Sequence, residues 1–347
     1  MGATLFSKQV QWLDGRGSQA EVVVATRATL SRNLADFSFP DRCTITERRT
    51  IEERVLGAME QAGMLSRGRY FSSMQLETRD VRFLEERHLL PEGFDAISVH
   101  SGVYVSDDQC LSVVINGPDH IMVRALASGL DVDAVWRQVN AIDDTFLQAM
   151  DFSFDERRGF LTSRVDFVGT GLKMSVLLHL PAMARDSKVV GLDQRVREQR
   201  HVLSNAFGNG ASGGGDFYLL SNQCTLGRSE QEIMFHLRHI ANEIVSQEAE
   251  QRARTAAENL RALEDRVGRA LGIARGARLL ELAEALDILS ALRLGVASTV
   301  LGGYTLKTVN ELLLECQQGH LERKAGQDCD TLTLSAERAE LFRARFA

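Results

Sequence analysis

Residues 159 to 183 read GFLTSRVDFVGTGLKMSVLLHLPAM, and they form the most informative local segment of the chain. The two glycines around Thr170 indicate a turn, and an apolar run follows them. We interpret this run as a helix that begins after the glycine turn. The first backbone N–H groups of a helix can bind an anion, so Lys173 becomes a candidate phosphate partner. The alternative is an ordinary solvated helix lysine.

Upstream of this segment, the run AEVVVATRATLSRNL covers residues 20–34. It begins with β-branched residues and then becomes basic and polar, which predicts a strand. In this interpretation Arg27 and Arg32 lie near the end of that strand, where binding residues are often found. Both could equally be surface cations.

A hairpin and two helices are predicted before residue 159. The runs LSVVI and HIMVRAL flank NGPD, whose residues favour a turn, and this pattern predicts a β-hairpin. Apolar residues at helical spacing predict amphipathic helices. These helices cover 44–64 and 131–150.

Downstream, residues 202–224 predict two strands that are joined by the glycine-rich tip GNGASGGG, and from Ser229 onward almost every pattern is helical. The fold class is therefore α+β, with an antiparallel sheet flanked by helices and followed by an all-α C-terminal domain. We place the division at Gln247, which gives domains 1–247 and 248–347. A length of 347 residues agrees with two cores, since one core rarely exceeds about 250 to 300 residues.

The composition is that of a packed globular protein, with 44% hydrophobic and 25% charged residues and four prolines. A net charge of -7 provides no general reason to bind nucleic acid or an anionic membrane. The N-terminus shows no leader and the chain has no long apolar run, so we expect a cytoplasmic protein. The five cysteines lack a CxxC pair, which favours reduced thiols and no metal site.

Five segments, in the same order, match a known pattern: TRATLSRNLADFSFP, ERHLLP, VVINGPDHIMV, GFLTSRVDFVGTGLKMSVLLHLPAM and GGGDFYLLSNQCTLGRSEQEI. With the tail strings ARLL, LRLGV and NELLLECQ they span nearly the whole chain. By these strings the chain resembles the guanidino (phosphagen) kinase superfamily, and within it the bacterial protein-arginine kinases. The resemblance implies the guanidino-kinase catalytic fold and a reaction that uses ATP with Mg²⁺.

Transfer of a phosphoryl group from ATP to a guanidinium requires two electrostatic devices. Arginine forks and magnesium must hold the charge of the transferring group. Carboxylates must orient the guanidinium and draw off a proton, because its pKa lies above about 12.

The family supplies the cation cage from several segments, and this chain retains only part of it. The first family segment reads SRxRxxRN, whereas TRATLSRN keeps Arg27 and Arg32 but places Thr29 at the middle arginine. His88 in ERHLL matches a nucleotide-contacting histidine of the family. By resemblance the nucleotide-binding candidates are thus Arg27, Arg32, His88 and Lys173. Three other family arginines are replaced, by Met122, Lys173 and Ser204. Lys173 keeps the positive charge but lacks the two-pronged guanidinium of arginine.

The carboxylates are replaced as well. The family hairpin reads NEEDHxR, and the positions of both glutamates and of a later catalytic carboxylate are here Gly117, Pro118 and Asn209. Arg164 occupies the position of a family cysteine and places a cation where the family binds a cationic substrate. Arg164 could instead pair with Asp166 or Asp119. In the tail, the family's phosphoarginine-binding RDxxRA element appears as LSAERA, of which only Arg338 and Ala339 match.

Loss of one preorganised donor typically costs about 2.7 to 4 kcal/mol of transition-state stabilisation, so several losses should remove useful turnover. We therefore expect a non-catalytic regulator that binds a partner protein, such as a kinase paralogue, an adaptor or a regulator, or a second copy of itself. In the family, partners include a zinc-binding activator, a transcriptional repressor and a protein-degradation chaperone. One alternative is an active ATP-dependent protein-arginine kinase in which Lys173, Asp119 and Asp166 cover the lost roles. Another is a structural subunit that pairs through its helical tail.

Overall fold

A computed structural model of the chain describes residues 10–95, 98–208 and 214–347. Asn209 and most of the predicted glycine-rich tip lie outside the described residues.

Eight strands form one antiparallel sheet, in the spatial order β2-β3-β4-β5-β1-β8-β10-β9, and β6 and β7 pair separately. The strands are β1 Val23–Arg32, β2 Gly68–Ser72, β3 Gly102–Ser106, β4 Leu111–Ile115, β5 Ile121–Ser128, β6 Phe154–Asp155, β7 Gly159–Phe160, β8 Leu172–His179, β9 His201–Asn205 and β10 Phe217–Asn222.

Helices cover the sheet and make up the C-terminal region. They are α1 Ile45–Gln61, α2 Thr78–Glu86, α3 Val132–Ala149, α4 Pro181–Arg185, α5 Lys188–Glu198, α6 Glu230–Gly276, α7 Leu282–Ala297, α8 Leu306–Glu315, α9 Gln318–Ala325 and α10 Thr331–Phe346. In the described part of the chain, no helix combines the length and the apolarity that crossing a bilayer requires.

The expected α+β class is confirmed, and most predicted elements are present. The hairpin forms as β4 and β5, and the helix predicted at 44–64 begins at Ile45. Thr44 and Glu47 form a capping box there, which satisfies two free donors of the first turn. Arg27, however, lies in the middle of β1 rather than near its end.

The interpretation of residues 172–179 as a helix is wrong, because they form β8, between β1 and β10 in the sheet. All residues of β8 except Lys173 are buried, so the strand reads as a continuous apolar run rather than an alternation. Such a run cannot be told from a buried helix by its periodicity. Lys173 therefore lies on a strand, and no helix N-terminus accompanies it.

The C-terminal helices share a hydrophobic core with the sheet. Leu177 and Phe217 from the sheet belong to the same cluster as Leu286 and Phe342 from the tail. Gln247 lies within α6, which continues to Gly276 and departs from helical geometry at Asn259, where φ is -154° and ψ is 72°. The division into domains at 247 stays a prediction.

The buried Arg293 joins the helical tail to the segment that precedes β1 by hydrogen bonds. The Arg293 side chain is fully buried, and it donates hydrogen bonds to the carbonyl oxygens of Ala20 (2.6 Å) and Glu21 (2.8 Å). It also donates to Asn310 Oδ1 at 2.9 Å and lies 3.1 Å from His179 Nδ1. The acceptors come from three separate segments, so this contact joins the sheet to the tail.

We expect Arg293→Met to destabilise the protein strongly. The change leaves the Ala20 carbonyl oxygen and Asn310 Oδ1 without their donor, at about 1 to 3 kcal/mol each, so the free energy of unfolding should fall by about 3 kcal/mol or more. Urea denaturation measures this quantity.

The matched control is Arg254→Met, which removes an exposed pair with Glu250 and should cost less than about 0.5 kcal/mol. Equal effects of the two substitutions would contradict the role that we assign to Arg293.

Candidate functional site

A cavity of about 580 Å³ lies over one face of the sheet. Its wall includes Leu282 and Gln317 from the helical tail. The cavity brings together most of the residues that the sequence indicated. Those that line it are Arg27, Thr29, His88, Pro118, Asp119, Met122, Arg164 and Lys173.

The floor of the cavity follows from strand register. Thr29 on β1 lies opposite Arg124 on β5 and opposite Lys173 on β8. Directly opposed residues of an antiparallel pair point to the same face. Arg27, two residues before Thr29, points to that face as well. We call Arg27, Arg124 and Lys173 the cationic floor.

Arg124 is a site residue that the sequence analysis missed. It lines the cavity although it lies outside the NEEDHxR pattern, two positions after Met122. Residues two apart on a strand share a face, so this period was the signal that could have identified it.

Arg27 and His88 contact each other in the cavity. Arg27 Nε donates to Ser175 Oγ at 3.2 Å, and Arg27 Nη1 lies 3.4 Å from His88 Nδ1. Burial lowers the pKa of Arg27, and burial together with the charges of Arg27 and Arg124 lowers the pKa of His88 to about 3. The imidazole is therefore neutral at physiological pH, and its Nδ1 accepts from the guanidinium.

Arg124 uses only part of its hydrogen-bonding capacity. Its Nη1 donates to the carbonyl oxygen of His88 at 3.1 Å and also to that of Leu90. Its Nε is buried and has no hydrogen-bond partner among the described residues. Burial, and next the charge of Arg27, lower the pKa of Arg124 to about 9, so it stays cationic at neutral pH.

Arg164 at the mouth of the cavity pairs with Asp166, which was the more conservative of the two readings of this residue. Nη2 lies 2.8 Å from Asp166 Oδ2, and Nε donates to Asp166 Oδ1 at 3.1 Å. Lys173 lies nearby, 5.7 Å from the centre of the Phe167 ring, and burial lowers its pKa. A cation thus occupies the place of the family cysteine.

Asp119 lines the cavity, and its carboxylate is hydrogen-bonded to the scaffold. Its Oδ1 accepts hydrogen bonds from Asn33 Nδ2 and from the Ser163 backbone N–H, both at 2.7 Å. His120 joins the same network, since its N–H donates to Asn33 Oδ1 and its Nδ1 accepts from the Leu34 N–H. These contacts hold the hairpin turn against the end of β1.

Arg32 does not reach the cavity, contrary to our expectation for a nucleotide-binding residue. It lies five positions after Arg27, and an odd spacing on a strand places side chains on opposite faces. Its Nη2 contacts Asp143 Oδ2 at 2.7 Å, and its guanidinium carbon lies 3.6 Å from the centre of the Phe160 ring. Arg32 is buried there as a structural ion pair.

The remaining predicted positions lie in three different places. Ser204 is exposed on β9 and is not part of the cavity lining, and Gly117 belongs to the β4–β5 turn. Asn209 is outside the described residues. The structure therefore places Pro118 in the cavity at one carboxylate position and leaves the later carboxylate position undescribed.

Family models match most of the chain. The model described as ATP:guanido phosphotransferase, C-terminal catalytic domain, matches residues 50–251, and the model described as Protein-arginine kinase McsB C-terminal domain matches residues 260–347. These matches confirm the resemblance that the motifs indicated.

Full-length relatives point the same way. The chain is 35% identical to the protein-arginine kinase of Symbiobacterium thermophilum over 344 residues, which cover 97% of this chain and 96% of that one. It is 33% identical to the protein-arginine kinase of Syntrophomonas wolfei, over 96% and 94% of the two chains.

Solved structures show the same fold. The duplicated taurocyamine kinase of Schistosoma mansoni, with bound transition-state-analogue components, superposes with a TM-score of 0.61 at 20% identity, over 79% of this chain and 41% of that one. Lombricine kinase superposes with a TM-score of 0.58 at 22% identity, over 75% and 72%. The guanidino-kinase fold is thereby confirmed.

We expect His88→Asn to reduce the acid sensitivity of the protein. His88 is neutral in the folded state, with a pKa of about 3, whereas the unfolded chain takes up its proton near pH 6.5. Stability is therefore complete above about pH 6.5 and declines as the pH falls toward 3, by up to about 2 kcal/mol between pH 7 and 5. Asparagine does not titrate and tolerates the positive φ of 59°.

Urea denaturation at pH 7 and pH 5 measures this loss, which should be smaller in His88→Asn than in the wild type. The control is His239→Asn at an exposed position on α6, which should keep the wild-type loss. An unchanged loss in His88→Asn would show that His88 is not the buried neutral group described above.

Proposed function

The chain belongs to the ATP:guanido phosphotransferase family, with a C-terminal region of the protein-arginine kinase type, and on this premise we propose that it is a protein-arginine-kinase-like regulator with little or no phosphotransfer activity. Its function in this proposal is to bind a partner protein.

The observation that carries the proposal is the state of the carboxylates around the cavity. Gly117 and Pro118 stand where the family has two glutamates, and Pro118 lines the cavity. Asp119 is held by Asn33 and Ser163, and Asp166 is paired with Arg164. A guanidinium with a pKa above about 12 becomes nucleophilic only when acidic groups orient and deprotonate it. The two described glutamate positions of the family hairpin therefore supply no acid for that role, since Gly117 and Pro118 carry no carboxylate.

Arg164 adds an electrostatic argument. Its guanidinium lies at the position where the resemblance places the group that binds the cationic substrate. Asp166 neutralises Arg164 in part, yet a second guanidinium at this place would still meet a like charge instead of a thiol. The site disfavours an arginine side chain as substrate.

Anion binding is the capacity that the site keeps. The cationic floor suits the phosphate groups of ATP, the cofactor that the family name implies. Among the described residues no group of three or more His, Cys, Asp or Glu side chains could hold a metal ion, so Mg²⁺ would have to be held through the nucleotide. Arg32 takes no part in this binding, since its guanidinium pairs with Asp143.

The second candidate function is an active ATP-dependent protein-arginine kinase with a rearranged site. It is favoured by the relatives, which are named protein-arginine kinases and match almost the whole chain. In this case Lys173 would stabilise the transferring group, and Asp119 or Asp166 would have to leave its present partner to act as the base.

We expect no phosphoarginine from the purified chain with ATP, Mg²⁺ and an unfolded arginine-containing protein. Each missing donor typically lowers the rate about 100- to 1,000-fold, so the rate should be below a thousandth of that of the protein-arginine kinase of Symbiobacterium thermophilum. Phosphorus NMR and mass spectrometry detect the product.

If the wild type forms phosphoarginine and Arg27→Ala does not, the regulator proposal is refuted. If Lys173→Ala and Asp166→Asn also abolish it, the rearranged kinase takes its place. The Arg137→Ala variant, which removes an exposed cation on α3, controls for the change in net charge.

Partner binding must be tested with the full chain, because the helical tail shares a core with the sheet. Removing residues 248–347 would expose this core and would not leave a folded remainder. The candidate partners are a kinase paralogue, an adaptor, another regulator or a second copy of the chain. The resemblance to protein-arginine kinases favours a paralogue.

We expect the chain to change the rate of an active protein-arginine kinase from the same cell at least twofold when the two are mixed. Sedimentation velocity of the mixture, and of the chain alone, separates a mixed complex from a homodimer. An unchanged rate together with two independently sedimenting proteins would contradict regulation of a paralogue.

A further inference from the structure

Arg124 lies directly across the strand pair from the position where the family pattern has an arginine and this chain has Thr29. The Cβ atoms of directly opposed residues in an antiparallel pair are only about 4.5 to 5.5 Å apart. A long side chain on either strand can therefore place its charge in the same part of the cavity. Thr29 itself is buried between Arg124 and Lys173, which is its neighbour on the other side.

Within the described residues, carboxylates act on the cationic floor only from beyond ion-pair distance. The charge of Glu92 partly offsets the lowering of the pKa of Arg27 and Arg124 by burial, and the charge of Asp166 does so for Lys173. No carboxylate lies within ion-pair distance of Arg27, Arg124 or Lys173, although several acids line the cavity. Those acids are used elsewhere or lie at the solvent-exposed mouth. Glu85 Oε1 accepts from the Gly93 N–H at 2.8 Å, and Glu86 accepts from backbone N–H groups at the start of α9.

The cationic floor also has a hydrogen-bond donor without a partner among the described residues. Arg124 is only 8% exposed, and its buried Nε has no partner among the described residues. In the described part of the chain, Arg27 hydrogen-bonds only Ser175 and His88. Burial of like charges without a directly paired counter-charge is unfavourable, and it is relieved when an anion enters. The floor is thus built for an anion that is not part of the described chain.

We propose that Arg124 replaces, from the opposite strand, the arginine that Thr29 has displaced, and that the cationic floor binds one compact oxyanion, a single phosphoryl group. This inference rests on the retained anion binding in the proposed function and specifies its ligand. Three cations suit the terminal oxygens of one phosphoryl group, with the Thr29 hydroxyl between them.

The rest of the cavity supports a single group rather than a chain of phosphates. Apart from Thr29, His88, Arg164 and Gln317, the polar side chains of the remaining lining are the carboxylates of Glu85, Glu86, Glu92 and Asp119, which repel a second phosphate. The apolar part of the lining includes Leu90, Pro118, Met122, Phe167 and Phe207. Met122 in particular occupies a family arginine position and offers no charge to a second phosphate. The phosphoryl group can come from free phosphate or from the end of a nucleotide, and both present the same chemistry.

The test is calorimetric titration of the full chain with inorganic phosphate, and separately with ATP and Mg²⁺. Arg124→Met removes the charge and keeps an unbranched apolar side chain, and it should weaken phosphate binding at least about tenfold. The double variant Thr29→Arg with Arg124→Thr moves the cation back across the strand pair. It should restore phosphate affinity to within about threefold of the wild type.

Two controls keep the result interpretable. Arg137→Ala removes one exposed cation far from the floor and should leave phosphate affinity unchanged. Thermal unfolding of each variant shows whether it folds, since Arg124 also donates to the carbonyl oxygens of His88 and Leu90. A purely structural Arg124 would not be rescued by an arginine on the other strand.

Undiminished phosphate binding in folded Arg124→Met would overturn the inference, and so would a folded double variant that fails to regain affinity. If ATP binds more tightly than phosphate, and Arg124→Met weakens its binding, the phosphoryl group belongs to a nucleotide. If the two affinities are equal, the ligand is free phosphate. Both results support the site. Phosphate affinity is measured without any phosphotransfer. A failed phosphate titration therefore leaves the regulator proposal intact. Formation of phosphoarginine would contradict the regulator proposal and leave the phosphate site intact.

Discussion

The pairing of β1 with β5 on one side and with β8 on the other is the constraint on which the cavity depends. It places Arg124, Thr29 and Lys173 in one row across three strands. Because side chains alternate between the two faces, a shift of either register by one residue would turn this row into the opposite core. Such a shift is opposed because it would bring Arg124 and Lys173 into the buried apolar face of β5 and β8. The packing of the sheet thus sets the positions of the charges.

Several residues that still match the family pattern form hydrogen bonds within the scaffold. Asn33, Asp119 and His120 match it, and the structure shows them bonded to one another and to the backbone at the end of β1. Thr29 and Met122, which depart from it, line the cavity, whereas Ser204 departs from it outside the lining. A buried polar group that loses its partner is costly, whereas a group that faces a cavity can change without harming the fold. This asymmetry explains how a complete scaffold can accompany a changed site.

Local patterns were sufficient for the hairpin, for the capped helix α1 and for the helical tail, because each signal lies within a few consecutive residues. They failed for β8, whose uninterrupted apolar run is common to buried strands and buried helices. Resemblance carries a residue's identity but not the face on which it lies, so it could not indicate that Arg32 pairs with Asp143 outside the cavity lining. The contacts of Arg293 with Ala20 and Glu21 join residues more than 270 positions apart, and no local pattern could indicate them.

The wall of the cavity includes Leu282 and Gln317, which belong to the helical tail and not to the sheet. Glu86, another lining residue, accepts hydrogen bonds from the backbone at the N-terminus of α9. An occupant of the cavity therefore lies between two parts of the chain that are far apart in sequence. Its binding energy adds to the energy that holds those parts together. A tail-binding partner that favours this arrangement would strengthen binding in the cavity, and the occupant would strengthen partner binding by the same factor.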